Sequence, residues 1–425
     1  MPPSVASKVE ESGRSVLYLS YDGMSDPLGQ SQVLPYLAGL TRRGHRITLV
    51  SFEKNSRGAD EMEAARQACA AAGVEWHPLR YHKNPPVLST VVDVMTMLRT
   101  AGRLHRTKRF DWLHCRSYLT ALVGLAMKRR HGTRFLFDMR GFWADERIDG
   151  GLWRRGNPVH RAVYAYFKRK ETDFLGEADH VISLTEAARG ILLARADRAP
   201  AAAPISVIPC CVDFEAFRPS SPEARTETRR ALGIAPGRRV ASYLGSIGTW
   251  YMLDEMLDCF AVQLEREPDA LFLIVSRDEP DPIRRAAAAK GIPGHALMIR
   301  GASRAEVPHF VGAADYAISF IRPTYSKAAS CPTKLGECLA LGIPVLTNGG
   351  VGDVARVIAE TGGGVLVERF DEQAYDQALQ ALEAIGTSPG QWRDRARRWF
   401  DLDEGVDRYD RIYRSRVTEP EPSTE

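Results

Sequence analysis

Short apolar runs alternate with longer amphipathic stretches through both halves of this chain. In the first cycle, the apolar run Val16–Ser20 is followed by a loop rich in Gly, Pro and Asp, and then by an amphipathic helix from about Gln30 to Arg43. A second apolar run, Ile47–Phe52, completes the cycle. A strand, a loop, a helix and a further strand form a Rossmann-type unit. We therefore predict the α/β class, with parallel sheets covered by helices on both faces.

The same alternation predicts the remaining elements of the chain. In the first half we expect helices near Asp60–Ala72, Leu88–Lys108, Tyr118–Arg130 and 158–178, and strands near Trp76, Trp112–Cys115, Phe135–Phe137, Val181–Leu184 and Ile205–Pro209. In the second half we expect strands at Val240–Gly245, Leu271–Val275, Leu297–Arg300, Asp315–Phe320 and around Val345, a helix at Arg284–Lys290, and a final helix at Val406–Arg416.

The length of the chain indicates more than one domain, because single cores stop growing at about 250–300 residues. Near residue 210 the pattern is interrupted by Pro, Ser and acidic residues, and we place the domain boundary there. The polar ends are expected to be disordered. The predicted organisation is a lead-in at 1–14, a first domain at 15–209, a second domain at 210–395, a helix at 396–416 that packs back on the first domain, and a tail at 417–425.

Composition excludes several classes of protein. A net charge of +4 is too small to indicate nucleic acid as a partner. The seven cysteines include no C-x-x-C pair, so we interpret Cys331 and Cys338 as packing residues. No Asp-x-Asp follows a strand into a site, and we expect no metal. Without an apolar run of about 18 residues, we expect a cytoplasmic protein that is soluble or bound peripherally at the inner face of a membrane.

The stretch SCPTKLGECLALGIPV, residues 330–345, is the most informative segment for function. We interpret it as a turn, a helix with Pro332 at its first position, a glycine and a buried strand. The start of a helix offers unpaired backbone N–H groups and a positive dipole, which suit a diphosphate. Lys334 adds a cation there, and the Glu337 carboxylate could accept hydrogen bonds from a diol. A diphosphate beside a diol indicates a nucleotide. The alternative is an ordinary helix, in which the acid near its start is merely favourable and the Lys is solvated.

Two other stretches follow predicted strands and carry polar or small residues. In the first, Gly245, Ser246 and Gly248 allow a phosphate to approach the backbone closely. In the second, DMRGFWADERIDGG, acidic and basic side chains crowd around aromatic rings. Rings can stack on sugars, while Arg and carboxylates can bind hydroxyls or phosphates. We therefore predict a substrate site there, with a solvated salt-bridge cluster as the alternative. Its candidate residues are Arg140, Trp143, Asp145 and Glu146.

The patterns S-x-PTK-x-x-E and FDMRGFWADER resemble segments of the retaining glycosyltransferases of family 4, and the resemblance spans about Val16 to Tyr413. It implies the GT-B fold, in which two Rossmann-like domains face each other across a cleft. The family has a Glu-x7-Glu motif whose second Glu holds the ribose of the donor, and Glu337 matches this residue. The first Glu, which helps to hold the donor sugar, is replaced by Ala329 here.

The resemblance also implies roles for the two domains. The second domain would bind a nucleoside diphosphate sugar, and the first would bind a glycan or lipid-linked acceptor in cell-surface polysaccharide biosynthesis. No cofactor beyond the donor, no metal and no nucleic acid are expected. Lys334 and Arg140 are the predicted catalytic residues. The predicted donor-binding residues are Gly29, Gln30, Gly245, Ser246, Gly248, Arg300, Lys327, Thr333, Lys334, Leu335 and Glu337.

Two other functions remain open on the sequence alone. A sugar-nucleotide epimerase can have the same fold, and Ala329 together with the missing basic residue after Gly248 would suit a non-catalytic nucleotide-sugar-binding subunit. The basic, aromatic helix at 158–178 is interpreted as a core stripe with a charged outer side. Its alternative role is a peripheral contact with anionic lipid.

Overall fold

The computed structural model describes residues 13–54, 58–195, 202–385 and 389–415. Almost all of the predicted lead-in and the whole predicted tail at 417–425 lie outside these ranges. The described residues form two parallel sheets, each covered by helices, as the α/β prediction required. The predicted strands and most predicted helices are confirmed to within four residues of their bounds.

The first sheet has the strand order β3-β2-β1-β4-β5-β6-β7. Its strands are β1 Ser15–Ser20, β2 Arg46–Glu53, β3 Glu75–Arg80, β4 Trp112–Arg116, β5 Arg134–Asp138, β6 His180–Ser183 and β7 Ile205–Val207. Its helices are α1 Pro27–Gln32, α2 Leu34–Arg42, α3 Ala59–Ala71, α4 Leu88–Lys108, α5 Tyr118–His131, α6 Trp143–Asp149, α7 Pro158–Glu177 and α8 Glu186–Leu193.

The second sheet has the order β10-β9-β8-β11-β12-β13. Its strands are β8 Val240–Leu244, β9 Leu271–Val275, β10 Leu297–Arg300, β11 Tyr316–Ser319, β12 Val345–Asn348 and β13 Gly364–Val367. Its helices are α9 Pro222–Ala231, α10 Leu253–Arg266, α11 Pro280–Ala289, α12 Val307–Gly312, α13 Thr333–Ala340, α14 Val354–Thr361 and α15 Glu372–Ala384, and the chain ends with α16 Pro389–Phe400 and α17 Leu402–Arg414.

The predicted single helix from Gln30 to Arg43 is wrong in one respect, because the structure has two short helices, α1 and α2, that begin already at Pro27. The break lies at Val33, whose φ is −124° and ψ is −64°. Pro35 follows at the start of α2. Since proline has no backbone N–H, it cannot bond to the carbonyl of residue 31, and a continuous helix would lose that bond.

Both sheets change direction of winding between two central strands, and this fixes where a ligand can lie. In the first sheet β1 pairs with both β2 and β4, so that Ser20, Arg116 and Asp138 lie side by side at the carboxyl edge. In the second sheet the corresponding neighbours are β8 and β11. Open α/β sheets bind ligands at such switch points.

The C-terminal segment crosses between the two domains. Helix α16 packs on α13 and α14 of the second domain, whereas α17 packs on α2 of the first. Val406 of α17 lies so close to Gly39 that a Cβ there would be 2.6 Å from a valine methyl. The chain also passes between the domains near residue 210. This first connection is bonded to the C-terminal one, since Val212 N donates to the Phe400 carbonyl over 2.7 Å. The predicted returning helix at 396–416 therefore comprises the end of α16 and all of α17.

Candidate active site

A cavity of about 1480 Å³ opens between the carboxyl edges of the two sheets. Residues from both domains line it. Of the predicted site residues, its wall includes Arg140, Trp143, Glu146, Lys327 and Thr333.

Arg140 lies two residues beyond β5 in a left-handed conformation, with a φ of +57°. This conformation is uncommon for a residue with a side chain and occurs often at functional sites. Its Nη2 donates to the Cys210 sulfur over 3.4 Å, and its Nη1 is 3.9 Å from Asp138 Oδ1. Burial would raise the pKa of Asp138, but the charge of Arg140 and a hydrogen bond from His114 outweigh it and lower that pKa. Arg140 is thus a cation anchored by a buried anion.

Arg116 is a second cation in the cavity wall, although it is not among the residues predicted from the sequence. It ends β4, is buried, and donates from Nε to Asp22 Oδ2 over 3.2 Å. Arg116 Nη1 and Arg140 Nε are buried and have no hydrogen-bond partner among the described residues. The position of Arg116 at the end of a strand beside β5 was the available signal, since strand ends carry the site.

The predicted acceptor residues are divided between the cavity and the protein interior. Residues 143–149 form the short helix α6. Trp143 stacks on Tyr118 with ring centroids 5.8 Å apart and still lines the cavity. Asp145 instead accepts from the Tyr164 hydroxyl over 2.8 Å and from Lys168 over 2.9 Å, on the side of α7. The structure therefore does not bring Asp145 into the cavity, because a helix turns residues two positions apart to different sides.

Glu146 and Lys327 connect the two domains across the cavity. Lys327 Nζ donates to Glu146 Oε1 over 2.6 Å and lies 3.7 Å from the centroid of the Trp250 ring. Only 5% of Lys327 is exposed. A second contact joins the domains nearby, where the Thr185 hydroxyl donates to the Ala328 carbonyl over 2.7 Å. In this conformation Lys327 holds the domains together, so it is less available to a donor phosphate than the sequence implied.

Helix α13 starts at Thr333, with Pro332 as its N-cap rather than its first helical residue as predicted. The Lys334 ammonium donates to the Tyr243 hydroxyl over 2.9 Å and lies 3.4 Å from the centroid of the Tyr251 ring. It also fills the space beside Gly245, where a Cβ would be 2.8 Å from Nζ. Burial lowers the pKa of Lys334 to about 7. The sequence identified Lys334 but gave no sign of its two tyrosine neighbours.

The carboxylate of Glu337 is buried, with 4% of the residue exposed, and forms an ion pair with Arg304. The Arg304 guanidinium lies 4.4 Å from the centroid of the Phe217 ring. Arg300 is exposed at the end of β10 and begins the loop that carries Arg304 to α13. Arg304 was missed because its partner is 33 positions away along the chain. Leu335 is a core residue of the second domain.

Two hydrogen bonds to backbone atoms of the glycine loop after β8 hold this loop in place. The Tyr243 hydroxyl donates to the Ser246 carbonyl over 2.6 Å, and Ile247 N donates to the Asp278 carboxylate. A Cβ at Gly248 would meet no atom within 4 Å, so the backbone there is open to a ligand. Gly245 has a φ of +113°, which other residues rarely adopt.

The two predicted donor residues of the first domain occupy different environments. Gly29 packs against the backbone of Gly23, where a Cβ would lie 2.1 Å from the carbonyl oxygen. Gln30 is exposed on α1. Neither residue forms part of the cavity wall described above. The glycine at position 29 is therefore required by the close packing of α1 against the loop that precedes it.

Two cysteines meet at the domain junction. Cys210 N donates to the Cys331 sulfur over 3.3 Å, and both residues line the cavity. A hydrogen bond from the Cys331 thiol, together with the charge of Arg140, lowers the pKa of Cys210 although burial opposes this. The interpretation of Cys331 as a packing residue is therefore incomplete, since its sulfur accepts a bond across the junction.

Among the residues that the structure describes, no group of three or more His, Cys, Asp or Glu is placed to hold a metal ion. In the same ranges, no helix has both the length and the apolar character that a membrane span requires.

The pKa of Lys334 predicts how diphosphate binding depends on pH. A diphosphate binds the protonated amine, so above pH 7 the free protein must first take up a proton. The affinity for inorganic pyrophosphate should fall by up to about tenfold for each pH unit above 7. Calorimetry at pH 6 to 9 measures this slope, and Lys334→Met should remove it. An equal slope in both proteins would assign the titration to another group.

Comparisons with known proteins match the two halves of the chain separately. Residues 29–211 match the family described as glycosyl transferase 4-like domain, and residues 224–399 match glycosyl transferases group 1. A D-inositol 3-phosphate glycosyltransferase of Catenulispora acidiphila is 26% identical over 298 residues, which cover 67% of this chain and 65% of that relative. The match thus spans just under two thirds of the relative's length.

Solved structures share the fold over almost the whole chain. Sucrose-phosphate synthase from Thermosynechococcus elongatus has a TM-score of 0.71 at 16% identity, covering 94% of this chain and 98% of that one. HepE from Anabaena, solved with UDP and glucose, has a TM-score of 0.70 at 14% identity, covering 95% and 100%. At these identities the likeness establishes the architecture of two Rossmann-like domains.

Proposed function

Because this chain belongs to the glycosyltransferases of the GT-B fold, we propose that it moves a sugar from a nucleoside diphosphate sugar to a glycan or lipid-linked acceptor. The first domain matches the glycosyl transferase 4-like family, and the second matches glycosyl transferases group 1. We further propose that the transfer retains the anomeric configuration of the sugar. The observation that carries this proposal is the position of Lys334, whose ammonium lies at the start of α13 against the Gly245 backbone. Cell-surface polysaccharide biosynthesis is the pathway class that we propose.

The donor would lie with its diphosphate between the start of α13 and the glycine loop after β8. The N–H groups of the first turn of α13, the Thr333 hydroxyl and the Lys334 ammonium are the donors available there. Glu337 lies one turn further along α13 and would accept hydrogen bonds from the ribose hydroxyls. Arg304 holds that carboxylate in place through its ion pair. The sugar would then lie in the cavity, on the side of Arg140.

The proposed reaction breaks the bond between the anomeric carbon and the diphosphate oxygen. The bonding electrons leave with the diphosphate, and the acceptor hydroxyl bonds to the anomeric carbon from the same face. A phosphate oxygen takes the hydroxyl proton, so no separate base is required. The protein contributes by stabilising the negative charge that develops on the diphosphate. Lys334 would supply most of the compensating positive charge, together with the helix N-terminus and the loop amides.

Arg140 has a different proposed role from Lys334. It is anchored by Asp138 and Cys210 on the first domain and lines the cavity. Its charge would orient an anionic group of the acceptor or donor beside the reacting carbon. Glu146 and Trp143 line the same wall and would contact the acceptor.

Donor binding should not require a metal ion, because protein cations and amides neutralise the diphosphate under this proposal. Calorimetry with UDP and GDP in excess EDTA should give the same affinity as in magnesium buffer. A thermal-shift screen of nucleoside diphosphates selects the base beforehand. Binding that is lost in chelator and restored by magnesium or manganese would mean that carboxylates of this chain hold a metal, which contradicts the proposed charge stabilisation.

A further inference from the structure

One arm of the cavity runs away from the reacting groups and over the surface of the first domain. Its floor and walls are apolar stripes of three helices that face one another: α5 forms the floor, and α4 and α7 flank it. The apolar residues of this arm are Val91, Val94, Met95 and Leu98 on α4, Leu119, Leu122, Leu125 and Ala126 on α5, and Val163, Tyr166 and Phe167 on α7. From Leu119 to Arg129 the floor is about 15 Å long, at 1.5 Å per helical residue.

The arm is apolar and open to solvent, which is uncommon for the surface of a monomer. Val91 is 53% exposed and Met95 41%. Of the twelve large hydrophobic residues that are exposed in the described part of the chain, eight lie on or beside α4 or between residues 152 and 166. This concentration on two flanking segments is unlike the single scattered residues that need no explanation.

The inner end of the arm is positively charged. Arg116 and Arg140 lie there, each with a buried nitrogen that has no hydrogen-bond partner among the described residues. The whole cavity is lined by seven Lys or Arg and by two acids, and both acids are already paired, Asp22 with Arg116 and Glu146 with Lys327. A ligand that fits is therefore apolar along its length and anionic at the end near the reacting groups.

We propose that this arm, which we call the α4–α5–α7 groove, binds the hydrocarbon chain of the acceptor, a single-chain lipid phosphate or diphosphate. This inference rests on the proposed transferase function and specifies its acceptor. The lipid phosphate lies against Arg116 and Arg140, and the chain lies along α5 between Val91 and Val163. We favour a single lipid chain over a bilayer surface as the occupant. A bilayer would contact all the exposed apolar side chains alike, whereas this groove is concave and continuous with the active site, so it fits one chain withdrawn from the membrane.

Two neighbouring valines on α4 provide a matched test. Val91 lines the groove and is 53% exposed, whereas Val92 is 51% exposed and does not line it. The probe is dodecyl phosphate below its micellar concentration, titrated by calorimetry into the full chain. Dodecyl trimethylammonium has the same chain with a cationic head, and inorganic phosphate has the anionic head without the chain, so both serve as comparison probes. Val91→Asp should weaken dodecyl phosphate binding by about tenfold or more, because a carboxylate replaces an apolar contact. Val92→Asp should leave that affinity unchanged.

The titrations also separate this inference from the proposed function. Equal losses in Val91→Asp and Val92→Asp would indicate a general surface contact and would overturn the groove. Equal affinity for dodecyl trimethylammonium would overturn the role of the two arginines. If the protein binds UDP or GDP but not dodecyl phosphate, the inference fails while the transferase proposal stands. If it binds dodecyl phosphate but no nucleoside diphosphate, the groove stands and the proposed function fails.

Discussion

In Lys334→Met the turnover number for sugar transfer should fall by about 10²–10³-fold at pH 7, a larger change than the loss of donor affinity. Methionine keeps most of the volume of the side chain between Tyr243, Tyr251 and Gly245 but removes the charge. The charge matters most when the diphosphate leaves, because its negative charge then increases. Steady-state kinetics with the donor identified by screening measures both quantities. Normal turnover with weaker donor binding would reduce Lys334 to a binding contact.

The same variant has an effect on folding that serves as a control. Burial lowers the pKa of Lys334 to about 7 in the folded protein, below the value of about 10.4 in an unfolded chain. Protonation of this group therefore opposes folding. The destabilisation is fully present below pH 7 and disappears as the pH rises towards the unfolded value. Lys334→Met should thus raise the free energy of unfolding of the unliganded protein at pH 6, which excludes misfolding as the cause of lost turnover.

The second large effect is expected for Glu337→Ala. Removing the carboxylate would leave the ribose hydroxyls unpaired and cost about 1–3 kcal/mol of nucleoside diphosphate binding. Turnover at saturating donor should change less than affinity, because the ribose lies away from the breaking bond. Calorimetry with the nucleoside diphosphate and with inorganic pyrophosphate measures the effect, since pyrophosphate has no ribose and its affinity should be almost unchanged.

Arg304→Ala is the matched control for Glu337→Ala. It removes the partner of the carboxylate but keeps the group that would contact ribose. Donor affinity should therefore fall less than in Glu337→Ala. Unchanged nucleoside diphosphate affinity in Glu337→Ala would remove this residue from the site and leave it as the partner of Arg304 alone.

Much of the fold could be predicted from the sequence because its signals are local. Apolar runs bounded by turn residues predicted all seven strands of the first sheet and five of the six strands of the second, β13 being missed. The segment at 330–345 predicted the start of α13 and the position of Lys334. The glycines at 245 and 248 indicated a turn whose backbone a phosphate can approach closely. These features depend on neighbours within a few residues, so a single sequence contains them.

The parts of the site that could not be predicted depend on residues far apart in the chain. The tyrosines beside Lys334 come from β8 and from the loop just before α10, and Arg304 comes from the loop after β10. Asp145 was assigned to the acceptor because it stands among charged residues, but α6 turns it towards Tyr164 and Lys168. The α4–α5–α7 groove was not foreseen either, because its three stripes each look like an ordinary core face.

The stereochemistry of transfer tests the central claim most directly. The full chain is incubated with α-linked UDP- and GDP-hexoses and with octyl glycosides as acceptors, and the products are examined by ¹H NMR. The account predicts a new glycoside whose anomeric coupling constant is that of an α-linkage, and a much lower yield with Lys334→Met. A β-linked product, or a donor whose sugar is epimerised while still attached to the diphosphate, would contradict it.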